Sequence, residues 1–268
     1  MAETPSQLFQ AGRLQDAVAA ATQAVKAKPA DIDRRGLLAE FLLFAGALDR
    51  ADAQLDALST QNPEAAVAVA LIRQLIRGEQ ARQQLFGDGR PPEFLDVPPP
   101  DHLRLKLEAV VAIRDGRLTD AAALCAQAEE ARRPLSGDLD GAAFDDFRDL
   151  DDVFGGVFEA VTSTGKYFWI PADRVERVEF HPPQRPRDLL WRRASMNVRG
   201  GPDGDVFIPA IYPGLAADAD DALRLGRATD WREDDGAPVR GLGQRTYLVG
   251  EEATPIMQLG VLTFNLDA

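Results

Sequence analysis

The sequence is poor in the residues that most often carry chemistry. Of its 268 residues, one is cysteine and two are histidine. A single thiol, Cys125, excludes an intrachain disulfide and a cysteine-rich metal site. It lies in an Ala-rich helical stretch, residues 121–128, and reads as a small buried apolar side chain. His102 and His181 are far apart, and His181 sits among prolines in Phe180-His-Pro-Pro-Gln-Arg-Pro186, so no Ser/His/Asp or Cys/His arrangement is suggested. No apolar run approaches the ~18 residues of a membrane span, so no membrane insertion is expected. The opening Met1-Ala-Glu-Thr-Pro-Ser6 has no basic stretch leading into an apolar one. That argues against a secretory signal, and the expected compartment is the cytoplasm. Cationic side chains are in deficit too: 30 Lys and Arg against 43 Asp and Glu, a formal net charge of -13. Such an excess repels phosphate backbones and argues against nucleic acid as a partner.

What is present begins with a repeat. Ala11-Gly-Arg-Leu-Gln-Asp-Ala17 matches Ala45-Gly-Ala-Leu-Asp-Arg-Ala51, with Gly12 and Gly46, Leu14 and Leu48, Ala17 and Ala51, and Pro29 and Pro63 each 34 residues apart. A further copy, Asp115-Gly-Arg-Leu-Thr-Asp-Ala121, follows Gly46 by two repeat lengths plus two residues. Between them lies a degenerate copy. Residues 65–78 read as a helix, the turn position falls on Gln80 with no matching glycine, and the second helix is lost into residues 86–100. The glycine takes the turn of a helical hairpin, the alanine lets the two helices approach, and the proline ends the second helix. Each hairpin leaves an apolar face that only a neighbour covers, so the hairpins stack. This resembles the tetratricopeptide repeat over residues 1–133. In that register the first helices line a groove for a partner helix or peptide, through Asp33, Glu40, Phe44, Gln74, Arg77, Lys106 and Ile113. The stretch Gly87–Pro100, with five prolines, is a stiff connection, and helix resumes at Asp101 as an N-cap, leaving His102 exposed in the first turn.

After Arg133 the character changes. Phe147, Leu150, Phe154, Phe158 and Val161 recur at helical spacing, which predicts a helix over 144–161 with Asp145, Asp146, Asp149, Asp151 and Asp152 on a solvated face. From Lys166 onward strands are expected at 167–170, 174–180, 191–198, 205–212, 246–249 and 255–264, with Arg199-Gly-Gly-Pro-Asp-Gly204 as a hairpin turn. The fold class is therefore multidomain α and β: a TPR-like α-superhelix over 1–133, then a small α+β domain over 134–268 with an antiparallel sheet or partly closed barrel.

Chemical motifs are weak. Thr162-Ser-Thr-Gly-Lys166 lacks the first glycine of a phosphate loop and precedes a strand, and Gly241-Leu-Gly243 is too short for a dinucleotide fingerprint. No cofactor or metal is expected. The densest cluster is Arg185, Arg187, Trp191, Arg192 and Arg193 with Asp188 among them. It suits a protein interface, and it equally suits surface ion pairs and aromatic stacks.

Three blocks carry a family resemblance: Phe147-Arg-Asp-Leu-Asp-Asp152, Thr164-Gly-Lys-Tyr-Phe-Trp-Ile-Pro171, and Glu179 to Arg193; a fourth is Gly204-Asp-Val-Phe-Ile-Pro-Ala-Ile-Tyr-Pro-Gly214. They resemble the ImpE/TagJ family of bacterial type VI secretion accessory proteins over nearly the whole chain. The resemblance implies an adaptor without catalytic activity. It implies binding to the N-terminal part of the small sheath subunit, TssB, and tuning of sheath disassembly by the ClpV ATPase. Within its blocks, Tyr167, Trp169, Arg187, Asp188, Trp191 and Arg192 are candidate contact residues. Two other readings remain: a general repeat scaffold for another cytoplasmic complex, and an enzyme with a pocket near Trp191.

Overall fold

The computed structural model describes residues 3–95, 98–216 and 218–266. Seven helices come first: α1 (Pro5–Gln10), α2 (Leu14–Ala27), α3 (Ile32–Phe44), α4 (Leu48–Gln61), α5 (Ala66–Gly87), α6 (Asp101–Arg114) and α7 (Leu118–Ala131). Three hairpins, α1/α2, α3/α4 and α6/α7, close in the same way. Gly12, Gly46 and Gly116 have φ of 82, 70 and 74°, the left-handed conformation a helix C-terminus favours. Each donates to a carbonyl three residues back, and the following residue donates to one five back, as in Arg13 to Leu8 and Ala47 to Leu42. The repeat alanines Ala17, Ala51 and Ala121 are fully buried, which is what close helix approach requires.

The degenerate copy is a single helix. With no glycine at position 80, nothing stops α5, which runs 22 residues to Gly87. Gln80 instead donates to Asp49 on α4 at 2.9 Å. The connection after α5 is non-helical as expected, although residues 96–97 lie outside the described residues. Its Glu93 joins the second half of the molecule as a one-residue parallel bridge to Phe168. Helix α6 starts on Asp101 itself, with Pro100 in the cap position, and His102 is half-buried rather than exposed.

The rest is almost all sheet. The strands are β1 (Gly137–Leu139), β2 (Ala142–Phe144), β3 (Phe147–Asp149), β4 (Val157–Thr162), β5 (Tyr167–Pro171), β6 (Val175–Phe180), β7 (Trp191–Val198), β8 (Gly204–Pro209), β9 (Thr229–Arg232), β10 (Arg240–Gly243), β11 (Thr246–Val249), β12 (Glu252–Pro255) and β13 (Val261–Phe264), with one short helix, α8 (Asp221–Arg224), between β8 and β9. Eight strands form one antiparallel sheet in the order β2-β1-β13-β6-β7-β8-β4-β5, which is not closed into a barrel. Strands β3, β11 and β12 make a second sheet, and β9 and β10 a ribbon.

The helix expected over 144–161 is absent. Its five apolar residues belong to β3, a turn and β4, and Gly156 takes φ 77°, which a helix interior does not allow. The spacing misled because core residues of two strands and an intervening turn fell at helical intervals. The acidic run is not a solvated face either. Asp149 and Asp151 are fully buried, Asp146 pairs with Arg132 at 2.7 Å, and Asp152 accepts the Val239 amide at 2.8 Å. Asp149 and Asp151 each accept the amide two residues on, which holds the turn.

The helical layer and the sheet share a core. Leu75, Ile76 and Leu85 of α5 lie in one apolar cluster with Val157, Val161, Trp169 and Trp191. Cys125 is buried as expected, and burial pushes its thiol up to about 11.

Candidate functional site

Helix α5 organises the seam between the two layers. Its inward stripe, Ile72, Leu75, Ile76, Glu79, Arg82 and Phe86, keeps helical spacing, but charge interrupts it twice. Strand β4 shows the same anomaly, with Glu159 inside the apolar run Val157–Val161. The two anomalies meet. Arg82 Nε and Nη2 donate to the two Glu159 oxygens at 2.7 and 2.9 Å, Nη2 to the Ile211 carbonyl at 3.0 Å, and Nη1 to Glu79 at 3.3 Å. Glu159 accepts further bonds from Arg245 and the Tyr167 hydroxyl, which in turn accepts from Trp169 Nε1 at 2.6 Å. Arg245, with no solvent exposure, also donates to Asp149 at 2.6 Å and the Pro209 carbonyl at 2.9 Å, and lies over the Phe154 and Tyr212 rings.

The two carboxylates that share Arg245 divide its effect. Glu159 has a second arginine, and the pair hold its carboxyl down at about 2 against its burial. Asp149 has no second cation; burial and neighbouring Asp151 lift it to about 6 against the pull of Arg245. Glu159 is thus the charged anchor of the network.

Elsewhere the seam closes by contact. Gly78 of α5 meets Val161, and Gly165, in the β4–β5 turn with φ 80°, sits on Gln74. Trp191 Nε1 donates to Glu79 at 3.0 Å, and the Arg187 amide donates to Glu40 at 3.1 Å beside a guanidinium–carboxylate pair.

The expected site residues therefore fall into three sets. Phe44, Lys106, Tyr167, Trp169, Trp191 and Arg192 are buried. Phe44 stacks edge-on against Phe9. Lys106 donates to the Cys125 and Asp152 carbonyls, and burial pushes its ammonium down. Arg192 donates to the Ile256 and Leu259 carbonyls and lies over Phe180. Glu40 and Arg187 are spent on each other, Asp188 caps the turn at Gln184 and Arg185, and Ile113 packs on the first core. Asp33 and Arg77 are exposed and Gln74 is half-exposed. The face of the repeat expected to receive a partner is thus largely filled by the chain's own sheet.

Between the layers a cavity of about 580 Å³ remains open. Leu43, Phe44, Phe86, Trp191, Tyr212 and Leu215 form apolar walls, with Glu79, Arg82 and Arg224 among them. These charges are already engaged: Glu79 by Arg82 and Trp191, Arg82 by its four bonds, Arg224 by the Ala45, Ala216 and Ala219 carbonyls. Sequence reasoning missed Glu79, Arg82, Glu159, Tyr212 and Arg245. A charge on the buried stripe of α5, and one inside an apolar strand, were the available signals; Arg245 had none.

A second polar cluster lies on the sheet around His181. His181 Nε2 lies 3.0 Å from Ser195 Oγ, but that hydroxyl donates to Asp205 at 2.8 Å, and Asp205 is bound by Arg193 at 2.6 Å. The carboxylate orients the serine rather than the imidazole, the reverse of a nucleophile–base–orienter chain. Thr162–Lys166 is the β4–β5 turn. Among the described residues no group of His, Cys, Asp and Glu is arranged to hold a metal ion, and no helix is long and apolar enough to cross a membrane.

Comparison with known proteins gives a consistent set of relatives. The family model described as ImpE protein matches residues 141–263, and a tetratricopeptide repeat model matches residues 8–75. The type VI secretion system accessory component TagJ of Pseudomonas aeruginosa is 30% identical over 259 residues, which is 97% of this chain and 90% of that protein. The crystal structure of protein VPA1032 from Vibrio parahaemolyticus superposes with a TM-score of 0.91 at 28% identity, over 98% of each chain.

Proposed function

The chain belongs to the ImpE family, of which the type VI secretion accessory component TagJ is a relative along nearly its whole length, and from that we propose a non-catalytic adaptor of type VI secretion. It acts in the cytoplasm, binds the N-terminal helix of the small sheath subunit, and through it tunes sheath disassembly by the ClpV ATPase. Residues 1–133 are its TPR-like unit and residues 134–268 its α+β unit.

One observation carries the reading. A helical-repeat layer and a sheet are joined through a shared core and a buried ion network, and an open cleft remains between them whose charged side chains are already engaged. Apolar walls with their charges already engaged support a binding role for this cleft over turnover of a substrate. A pocket near Trp191 does exist, which is what an enzyme would require. Its central charges are held in place: Arg82 pairs with Glu79 and Glu159, and Glu79 also accepts from Trp191, which supports a binding role over catalysis.

The test is titration of the purified protein with the small sheath subunit by calorimetry. Saturable binding in the micromolar range or tighter is expected. No binding at tens of micromolar by a folded sample would sink the adaptor reading for that partner and leave the general scaffold.

A further inference from the structure

The cleft does not end at its apolar cavity. Along Gly46, Leu48 and Gln83 it meets a second, shallower hollow of about 420 Å³, where Asp49 and Asp88 stand with Gln80 and Gln84. Asp49 and Asp88 are both exposed, and neither is ion-paired among the described residues; Asp49 accepts one bond, from Gln80. The result is a trough with apolar walls at one end, at Phe86, Trp191 and Leu215, and an unneutralised acidic rim at the other.

The backbone bordering the trough limits what can lie in it. Strand β8 is paired on both sides, with β7 and β4. Beyond it, the Ala210 amide donates to Leu190 and the Tyr212 amide to Gly243. Among the described residues no unpaired strand edge borders the trough, so an extended peptide has no strand to lengthen there. A helix brings its backbone bonds with it.

We propose that this trough, and not the filled face of the repeat, is the docking site for an amphipathic helix of a partner protein, which places apolar side chains against Phe86, Trp191 and Leu215 and a lysine or arginine over Asp49 and Asp88. The proposal rests on the adaptor reading and gives it a seat and a chemistry. The net charge of -13 steers a basic segment toward the molecule. The two rim aspartates fix its direction in the trough, because charge complementarity specifies register more than it adds affinity.

The test uses the full chain and two probes: the small sheath subunit, and a synthetic amphipathic Leu/Lys helix with a Leu/Glu helix of the same pattern. Three variants are compared with wild type after circular dichroism shows each to be folded. Asp49→Lys/Asp88→Lys reverses the rim, Gln83→Trp plugs the trough, and Glu130→Lys makes half the rim variant's charge change on exposed α7. The Leu/Lys helix is expected to bind wild type, the Leu/Glu helix not to. The first two variants should each lose about tenfold or more in affinity, and Glu130→Lys less than about twofold. Equal binding of the two synthetic helices, or rim and plug variants within about twofold of wild type, overturns the proposal. If the sheath subunit fails to bind while the synthetic helices behave as expected, the trough stands and the named partner falls. If the sheath subunit binds all three variants equally and is lost instead on Asp33→Lys/Val67→Glu, at the uncovered end of α3 and α5, the adaptor stands and the trough falls; Val67 is 85% exposed there.

Discussion

Replacing Arg82 by methionine removes the cation that joins the helical layer to the sheet and keeps most of its aliphatic volume. Four hydrogen bonds disappear, two of them to Glu159, with one to Glu79 and one to the Ile211 carbonyl. Breaking a buried pair from one side costs about 3–5 kcal/mol, because the remaining charge is left in a low-dielectric site. Glu159 still has Arg245 and the Tyr167 hydroxyl, so its charge is not orphaned, and the expected loss is near the lower end, about 3 kcal/mol. For a chain of this size that lowers Tm by roughly 6–12 °C. Arg82→Met/Glu159→Gln also takes an anion from buried Arg245, which keeps only Asp149, and should lose about 1 kcal/mol more than Arg82→Met alone. Urea unfolding followed in parallel by far-UV circular dichroism and by tryptophan fluorescence reads both effects. All three tryptophans, Trp169, Trp191 and Trp231, lie in the sheet half, whereas circular dichroism reports chiefly the helices. The two transitions should coincide in wild type and move together in the variant. A loss under about 1 kcal/mol would refute the claim that this ion pair fastens the layers. Separate transitions in wild type would refute the shared core.

Two further substitutions probe the same seam. Gly78→Ala should gain about 1 kcal/mol by helix propensity alone, but its Cβ would stand 2.3 Å from Val161 Cγ1. A net loss of about 1–3 kcal/mol is expected, partly rescued by Val161→Ala, and a raised melting temperature for Gly78→Ala would contradict the packing described. Asp149, whose carboxyl is raised to about 6 by burial, binds its proton more tightly in the fold than in the unfolded chain. Its contribution is therefore favourable at low pH and is lost as pH rises through the window from about 4 to 6, the opposite sense to Glu159. Relative to Asp149→Asn, the wild type should lose up to about 3 kcal/mol of stability between pH 4 and 7. A difference between the two proteins that does not change with pH would show that Asp149 stays ionised.

Local chemistry determined the helical half. Glycine at the hairpin turn, alanine at the helix crossing and proline at the end act within a few residues, so Gly12, Gly46 and Gly116 could be placed from spacing alone, and the missing glycine at position 80 rightly foretold a lost hairpin. Five of the strands beyond Lys166 were legible for the same reason, since alternation and a Gly-rich turn are short-range signals, but β9, β10 and β12 went unseen, and the strand expected over 255–264 is a 3-10 turn at Ile256–Gln258 followed by β13. What the sequence could not decide is what each surface faces. Helical spacing across residues 147–161 arose from strands and a turn that share a core only after folding. Asp149 and Asp151 look like solvated acids until Arg245 and Arg240, some ninety residues away, arrive to bury them. Most of all, a stack of hairpins defines a concave face but not its occupant. Only the tertiary structure showed that the sheet fills it, through Arg82 and Glu159, Glu40 and Arg187, and Lys106 and the Asp152 carbonyl, because contacts between groups so distant in the chain leave no periodic trace along it.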